Sequence, residues 1–195
     1  LRRPDRAAEA LAGALTRARR EHQVGLAGVQ ARARAIFLFN LGRFEEALAD
    51  LKVALESGLE PTLRGEAYLQ QAFCLARLGR EGVLPSLRRA RISTPLRQIN
   101  TMLEIKTLEA RWGSANAKQA RERLAAVEFR LPQLKPGPRA MIRGMTRVAE
   151  AELCRHEGNL ERALEVLDQA MRVERLPPGA VDERLTCDEA SGAKG

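Results

Sequence analysis

The chain of 195 residues is long enough for one domain or one short repeat array. Hydrophobic residues make up 45% and charged residues 30% of it, which is ordinary for a protein with a hydrophobic core. It contains no signal-peptide pattern and no apolar run long enough to span a bilayer, so we expect a cytoplasmic location and no membrane partner. The net charge of +8, almost all from arginine, favours acidic partners.

Alanine, leucine and arginine, all strong helix formers, dominate the chain, and no segment shows the two-residue alternation of a half-buried strand. We therefore predict an all-α fold. Apolar residues at helical spacing predict helices over Pro4–Arg20 and over residues 24–41, 43–57, 62–78, 83–92, 95–112, 114–130, 138–157 and 159–175. Residues 131–138 are predicted to form a loop, Val181 to about Ala190 a short capping helix, and Ser191–Gly195 a disordered tail.

Four glycines divide these predicted helices into pairs. Gly42, Gly79, Gly113 and Gly158 follow one another at spacings of 37, 34 and 45 residues, and each lies between two amphipathic stretches. A glycine at the end of a helix permits a left-handed backbone and so a tight stop. The pattern predicts a series of helix-turn-helix hairpins, in which Ser114 and Asn159 cap the helices that follow their glycines.

The segments Leu41–Leu48 and Glu157–Leu164 resemble the hairpin turn of tetratricopeptide repeats, which have Gly, a large apolar residue and Ala at fixed offsets. The resemblance implies a right-handed α-solenoid of about four hairpins with flanking helices. Its divisions are an N-terminal flanking helix (1–23), a repeat (24–61), two degenerate repeats (62–98 and 99–135), a repeat (136–177) and a C-terminal cap with a disordered tail (178–195).

The resemblance also assigns a small residue to the middle of each first helix, where the two helices of a hairpin cross. Ala35, Ala72 and Ala151 stand there, seven residues before their glycines, and proline ends the repeat at Pro61 and Pro177. Two repeats depart from the pattern. Gly82 and Pro85 should delay or distort the second helix of repeat 62–98, and Lys106 occupies the small-residue position of repeat 99–135.

In the family, the first helices line a concave groove that binds a peptide. Carrying its groove positions over gives an apolar stripe with arginines around it, which suits an amphipathic, partly acidic peptide. Alternatively, the stripe is buried beneath the N-terminal helix, by tight winding or by a second subunit. The assigned groove residues are Arg32, Ile36, Phe39, Asn40, Leu69, Phe73, Arg77, Leu103 and Arg155.

The sequence offers no pattern typical of an enzyme, a cofactor site or a metal site. Neither His22 nor His156 has a nucleophile or acid beside it at motif spacing, and no CxxC pair or phosphate-binding glycine loop occurs. Cys74 and Cys154 lie among apolar helical residues and are predicted to be small core residues.

We therefore predict a protein-interaction module, either a scaffold or the sensor part of a bacterial regulator. Fold analogy carries that step, because a fold does not fix a function. Two alternatives stay open: a basic helical-repeat protein that binds nucleic acid, and a self-associating module that forms a homodimer.

Overall fold

The computed structural model describes residues 4–95, 98–113 and 116–173. Every regular element in those ranges is helical, which confirms the all-α prediction for them. The chain divides into two compact units, Leu1–Arg97 and Gln98–Gly195. The capping helix and tail predicted after Val181, and Pro177, lie outside the described residues.

The described residues of the first unit form five helices, and each packs against the next one in the chain. In addition, α2 contacts α4, so the first helices of two successive hairpins touch each other directly. Alanines fill the crossings: Ala35, Ala47 and Ala72 have no exposed surface. The helices are α1 (Pro4–Arg20), α2 (Val24–Asn40), α3 (Phe44–Glu56), α4 (Pro61–Arg77) and α5 (Val83–Ser93).

Three of the four predicted glycine turns have the expected geometry, while Gly113 is the last residue of a helix that begins at Ile99. Gly42, Gly79 and Gly158 have φ of +74°, +63° and +79°. In each turn the glycine N–H donates to the carbonyl three residues back, and the next N–H donates to the carbonyl five residues back. These two hydrogen bonds define the Schellman motif, in which a left-handed residue ends the helix.

The turn between α1 and α2 follows the same pattern without a glycine. The Gln23 N–H donates to the Ala18 carbonyl at 2.9 Å, and the His22 N–H donates to the Arg19 carbonyl at 3.2 Å. His22 takes the left-handed position with φ of +55°. The hairpin α1–α2 was not predicted, because only glycine makes such a turn visible in a sequence.

The second helix of the 62–98 repeat starts late, as predicted. Gly82 has φ of +100° and precedes α5, which begins four residues after Gly79, whereas α3 begins two residues after Gly42. Pro85 is compatible with α5 because it lies in the first turn, where a backbone N–H has no hydrogen-bond acceptor within the helix. Pro61 begins α4 instead of ending the preceding repeat, and the Glu60 side chain accepts from the Leu63 N–H to cap that helix.

The second unit contains α6 (Ile99–Gly113), α7 (Ala117–Glu128), α8 (Pro136–His156) and α9 (Leu160–Val173). Helix α8 packs against all three of the others. Asn159 caps α9 as predicted, because its side chain accepts from the Arg162 N–H at 3.1 Å. The cap of α7 is Asn116, which accepts from the Gln119 N–H at 2.8 Å, while Ser114 lies outside the described residues.

The predicted loop 131–138 is mostly ordered structure. Leu131–Gln133 forms one 3-10 turn, and Pro136 opens α8, because proline is compatible with the first helical position. Leu131 and Leu134 are buried in a core cluster with α6, α7 and α8. The Arg139 guanidinium donates to the Leu134 carbonyl at 2.7 Å and to the Pro132 carbonyl at 3.2 Å, which clasps this connection onto the helix.

Candidate functional site

Seven of the nine predicted groove residues lie in the first unit, on α2 and α4. Residues three, four or seven positions apart in a helix share one side of it, which groups the α2 residues together and likewise the α4 residues. Because α2 and α4 contact each other, the two groups form one surface, which we call the α2/α4 face. Its members are Arg32, Ile36, Phe39 and Asn40 on α2 and Leu69, Phe73 and Arg77 on α4.

Aromatic rings join the two helices at the middle of this face. The Phe39 and Phe73 ring centroids are 6.2 Å apart with the rings tilted by 56°. Phe39 also meets Phe44 of α3 edge to face at a centroid distance of 5.3 Å. These are favourable geometries for aromatic pairs, so the position of each ring is fixed by its neighbour. Ile36, Phe39 and Phe73 all keep part of their surface exposed.

A charged pair joins α2 and α4 nearer the start of both helices. The Arg32 guanidinium donates to the Glu66 carboxylate, and the two side chains are 17% and 34% exposed. A partly buried pair of this kind fixes the relative position of two helices better than a fully solvated pair does. Arg32 is therefore held by its neighbour on α4 and contributes to the shape of the face as well as to its charge.

The remaining members differ in exposure. Leu69 is only 6% exposed, whereas Asn40 and Arg77 are exposed at the C-terminal ends of α2 and α4. The α2/α4 face thus has a half-buried apolar centre with polar groups at both ends. Such a surface suits the apolar side of a bound peptide.

The two other predicted groove residues belong to the second unit. Leu103 is 1% exposed and lies in the core with Val127, Leu131 and Ile142, so it is inside that unit and not on its surface. Arg155 is exposed in the last turn of α8. The structure therefore brings together the α2 and α4 residues and places Leu103 where a ligand does not reach it.

Cys74 is a free cysteine that is buried in the first unit. Burial raises the pKa of the Cys74 thiol to about 12, so it is protonated and unreactive at neutral pH. Among the described residues, no group of three His, Cys, Asp or Glu side chains is arranged to hold a metal ion. In the same part of the chain, no helix has the length and apolarity that a bilayer crossing requires.

The first unit also contains a cavity that the sequence analysis does not predict. It lies where α1 ends, α2 begins and α3 ends, and its volume is about 260 Å³. Its lining includes His22, which replaces glycine in the α1–α2 turn.

Comparison with protein-family models, with curated proteins and with solved structures gives no match for this chain, so the tetratricopeptide resemblance depends on the hairpin motifs alone.

Proposed function

We propose that the first unit is a peptide-binding module built from tetratricopeptide-type hairpins stacked as in an α-solenoid. Its α2/α4 face takes the apolar side of an amphipathic, partly acidic segment of a partner protein. The observation that carries the proposal is the Phe39–Phe73 contact, which places two partly exposed rings side by side on adjacent helices. Aromatic anchors of this kind dominate the energetics of peptide interfaces.

The stacking part of the proposal is supported by the contacts of α4. It packs against α3, its chain neighbour, and against α2, the first helix of the previous hairpin. In an α-solenoid each repeat buries its apolar side against the next one, and first helices line one surface. The Arg32–Glu66 ion pair and the Phe39–Phe73 contact both bridge this pair of first helices.

The arginine environment favours a protein partner over nucleic acid. Within the described residues, many arginines already pair with carboxylates, and a neutralised guanidinium contributes little to the release of counterions from phosphates. Pairs of this kind are formed by Arg32, Arg34, Arg43, Arg80, Arg111, Arg121, Arg147 and Arg162.

The test is selection of helical peptides from a displayed library against the whole chain, followed by polarisation titrations of the enriched peptides. Phe39→Glu and Phe73→Glu should each weaken binding at least about tenfold, which is the loss typical of a truncated anchor. The matched control is Ile92→Glu, which adds the same charge to a side chain of α5 that is 82% exposed. Failure to enrich any peptide, or equal affinity for all variants, contradicts the proposal.

A titration against single-stranded and duplex nucleic acid at two salt concentrations separates the main alternative. Binding that persists at physiological salt, falls steeply with added salt and survives Phe73→Glu would replace the proposal by a nucleic-acid function. Light scattering across concentration, with the same variants, reports whether the α2/α4 face instead pairs two copies of the chain.

A further inference from the structure

The cavity in the first unit shares no residue with the α2/α4 face. It measures about 260 Å³, which is slightly below the range of roughly 300–1,000 Å³ in which proteins hold drug-sized ligands. An occupant must therefore be small. The lining residues are Ala18, Arg19 and His22 of α1 and its turn, Val24 and Ala27 of α2, and Val53, Glu56 and Ser57 at the end of α3.

The cavity has an apolar floor and a charged rim. Ala18 and Ala27 are 2% and 6% exposed, and Val53 is half-buried, so the floor offers contacts to an aliphatic group. Arg19 and Glu56 are exposed at the rim, with opposite charges.

Arg19 and Glu56 do not neutralise each other. Among the described residues, neither side chain takes part in an ion pair, so their charged atoms stay more than 4.0 Å apart although both line the same cavity. Other arginines of this unit do form ion pairs with carboxylates. Arg80, for example, pairs with Glu45 at the start of α3. Arg19 also attracts the Asp50 carboxylate of α3, but Arg19 and Glu56 line one small cavity without pairing with each other, which suits a ligand that carries both charges itself.

His22 adds an imidazole that this turn does not need for its backbone. The same turn is formed by glycine at Gly42, Gly79 and Gly158, and a residue with a side chain costs roughly 1 kcal/mol more in the left-handed conformation. Residues held in costly backbone conformations occur where the side chain has a use. Here His22 is one of the residues that line the cavity, as Arg19 is.

Ser57 is oriented by its own helix. Its hydroxyl donates to the Ala54 carbonyl at 2.7 Å and packs against Gly28 of α2. The polar groups offered to a ligand are therefore the Glu56 carboxylate as an acceptor and the N–H groups of Arg19 and His22 as donors.

We propose that this cavity binds a small zwitterion with an apolar body, of the size of a free hydrophobic amino acid. The carboxylate of the ligand binds Arg19 and His22, its ammonium group binds Glu56, and its side chain packs on Ala27 and Val53. The proposal concerns a second site, independent of peptide binding at the α2/α4 face.

Calorimetry and amide chemical-shift mapping with L-leucine test the proposal on the full chain. Leucine should shift amides of the α1–α2 turn and the end of α3, and its deaminated acid and its decarboxylated amine should each bind at least about tenfold more weakly, because each loses one charged contact. Arg19→Gln should weaken leucine binding by a similar factor. Arg20→Gln, which removes the same charge one residue away and outside the cavity, should not.

His22→Gly adds a readout that a purely structural role would not produce. It should weaken leucine binding and leave the fold intact, since glycine suits the turn. Phe73→Glu, on the α2/α4 face, should leave leucine binding unchanged. The proposal is overturned if leucine shifts no amide of the lining at millimolar concentration, if the deaminated acid binds as tightly as leucine, or if Arg19→Gln and Arg20→Gln bind it equally.

Discussion

Gly28 lies so close to Ser57 that a methyl group built on it would be 1.6 Å from the Ser57 hydroxyl oxygen and 2.6 Å from the Ser57 Cβ. In the next hairpin Gly65 lies in the same way against Thr94, with 2.5 Å between a built Cβ and the Thr94 Oγ1. Both glycines stand 14 residues before a turn glycine, and so does the buried Gly144 of the second unit. The start of the first helix and the end of the second can therefore approach closely only without a side chain at this position.

Gly28→Ala should lower the free energy of unfolding by about 1–3 kcal/mol, the usual cost of forcing an atom into a packed contact. Urea denaturation measures the change. Gly13→Ala is the matched control: a Cβ on Gly13 meets nothing within 4 Å, so the higher helix propensity of alanine should raise stability by up to about 1 kcal/mol. Adding Ser57→Gly to Gly28→Ala removes the clash and should restore part of the loss. If both alanine variants change the unfolding free energy by the same amount, the close contact with Ser57 is not the reason for glycine at position 28.

The left-handed turns predict opposite effects for two reciprocal changes. Gly42→Ala should lower the unfolding free energy by roughly 1 kcal/mol, because alanine is strained at φ of +74°. His22→Gly should leave stability equal or raise it slightly, because relief of strain outweighs the greater freedom of glycine in the unfolded chain. Thermal unfolding followed by circular dichroism compares the two. A marked loss of stability in His22→Gly would mean that the imidazole holds the turn itself.

Asp50 and Glu46, one turn apart on α3, should respond to pH in opposite directions. Burial raises the pKa of Asp50, although Arg34 at 3.3 Å and Arg19 oppose the effect, and its Oδ2 is buried without a hydrogen-bond partner. A hydrogen bond from Arg43 lowers the pKa of Glu46. Raised folded-state pKa means that Asp50 favours folding at low pH and loses that contribution as pH rises through its folded pKa. Glu46 contributes above its unfolded pKa and loses the contribution as pH falls.

Unfolding of Asp50→Asn and Glu46→Gln from about pH 3 to pH 7 checks these signs, since this range spans the ordinary carboxyl pKa values. Relative to the unaltered chain, Asp50→Asn should gain stability as pH rises, and Glu46→Gln should lose it. Parallel curves for the two variants would contradict the assignment of burial as the main influence on Asp50.

Cys74 should resist alkylation while the protein is folded. Its side chain has no exposed surface and its pKa is raised to about 12, so almost no thiolate exists at pH 8. Iodoacetamide labelling followed by peptide mass spectrometry should find Cys74 unmodified in buffer and fully modified in denaturing urea. Rapid labelling of Cys74 in buffer would indicate that the first unit opens locally on the time scale of the reaction.

The parts of the fold that sequence predicted correctly are those with a steric requirement. Glycine adopts a left-handed turn without steric cost, and only a small residue fits a close helix crossing. The turns at Gly42 and Gly158 and the crossing at Ala35 can therefore be predicted from the residue type. His22 performs the same backbone task without that signature. The close contact at Gly28 was not predicted, because it involves Ser57, which lies 29 residues away and shares no local pattern with it.

The candidate site was predictable in part for a related reason. Groove positions carried along the chain include residues of α2 and α4 that meet, as Phe39 meets Phe73, but Leu69 and Leu103, each ten residues before its glycine, are both buried. In α6 the small-residue position holds Lys106, which is too large for a close crossing, and Leu103 lies in the core against α7 and α8. Helix rotation depends on packing, and packing depends on residues distant in the sequence.

The Arg139 clasp bears on how the second unit withstands proteases. An exposed connection between helices is normally a site of proteolytic cleavage. The bond after Arg130 precedes the buried Leu131, and the bond after Lys135 precedes Pro136. Between them, the carbonyls of Pro132 and Leu134 accept hydrogen bonds from the Arg139 guanidinium. Trypsin should spare this stretch for as long as the clasp is closed, and Arg139→Met should make Arg130 the first point of attack.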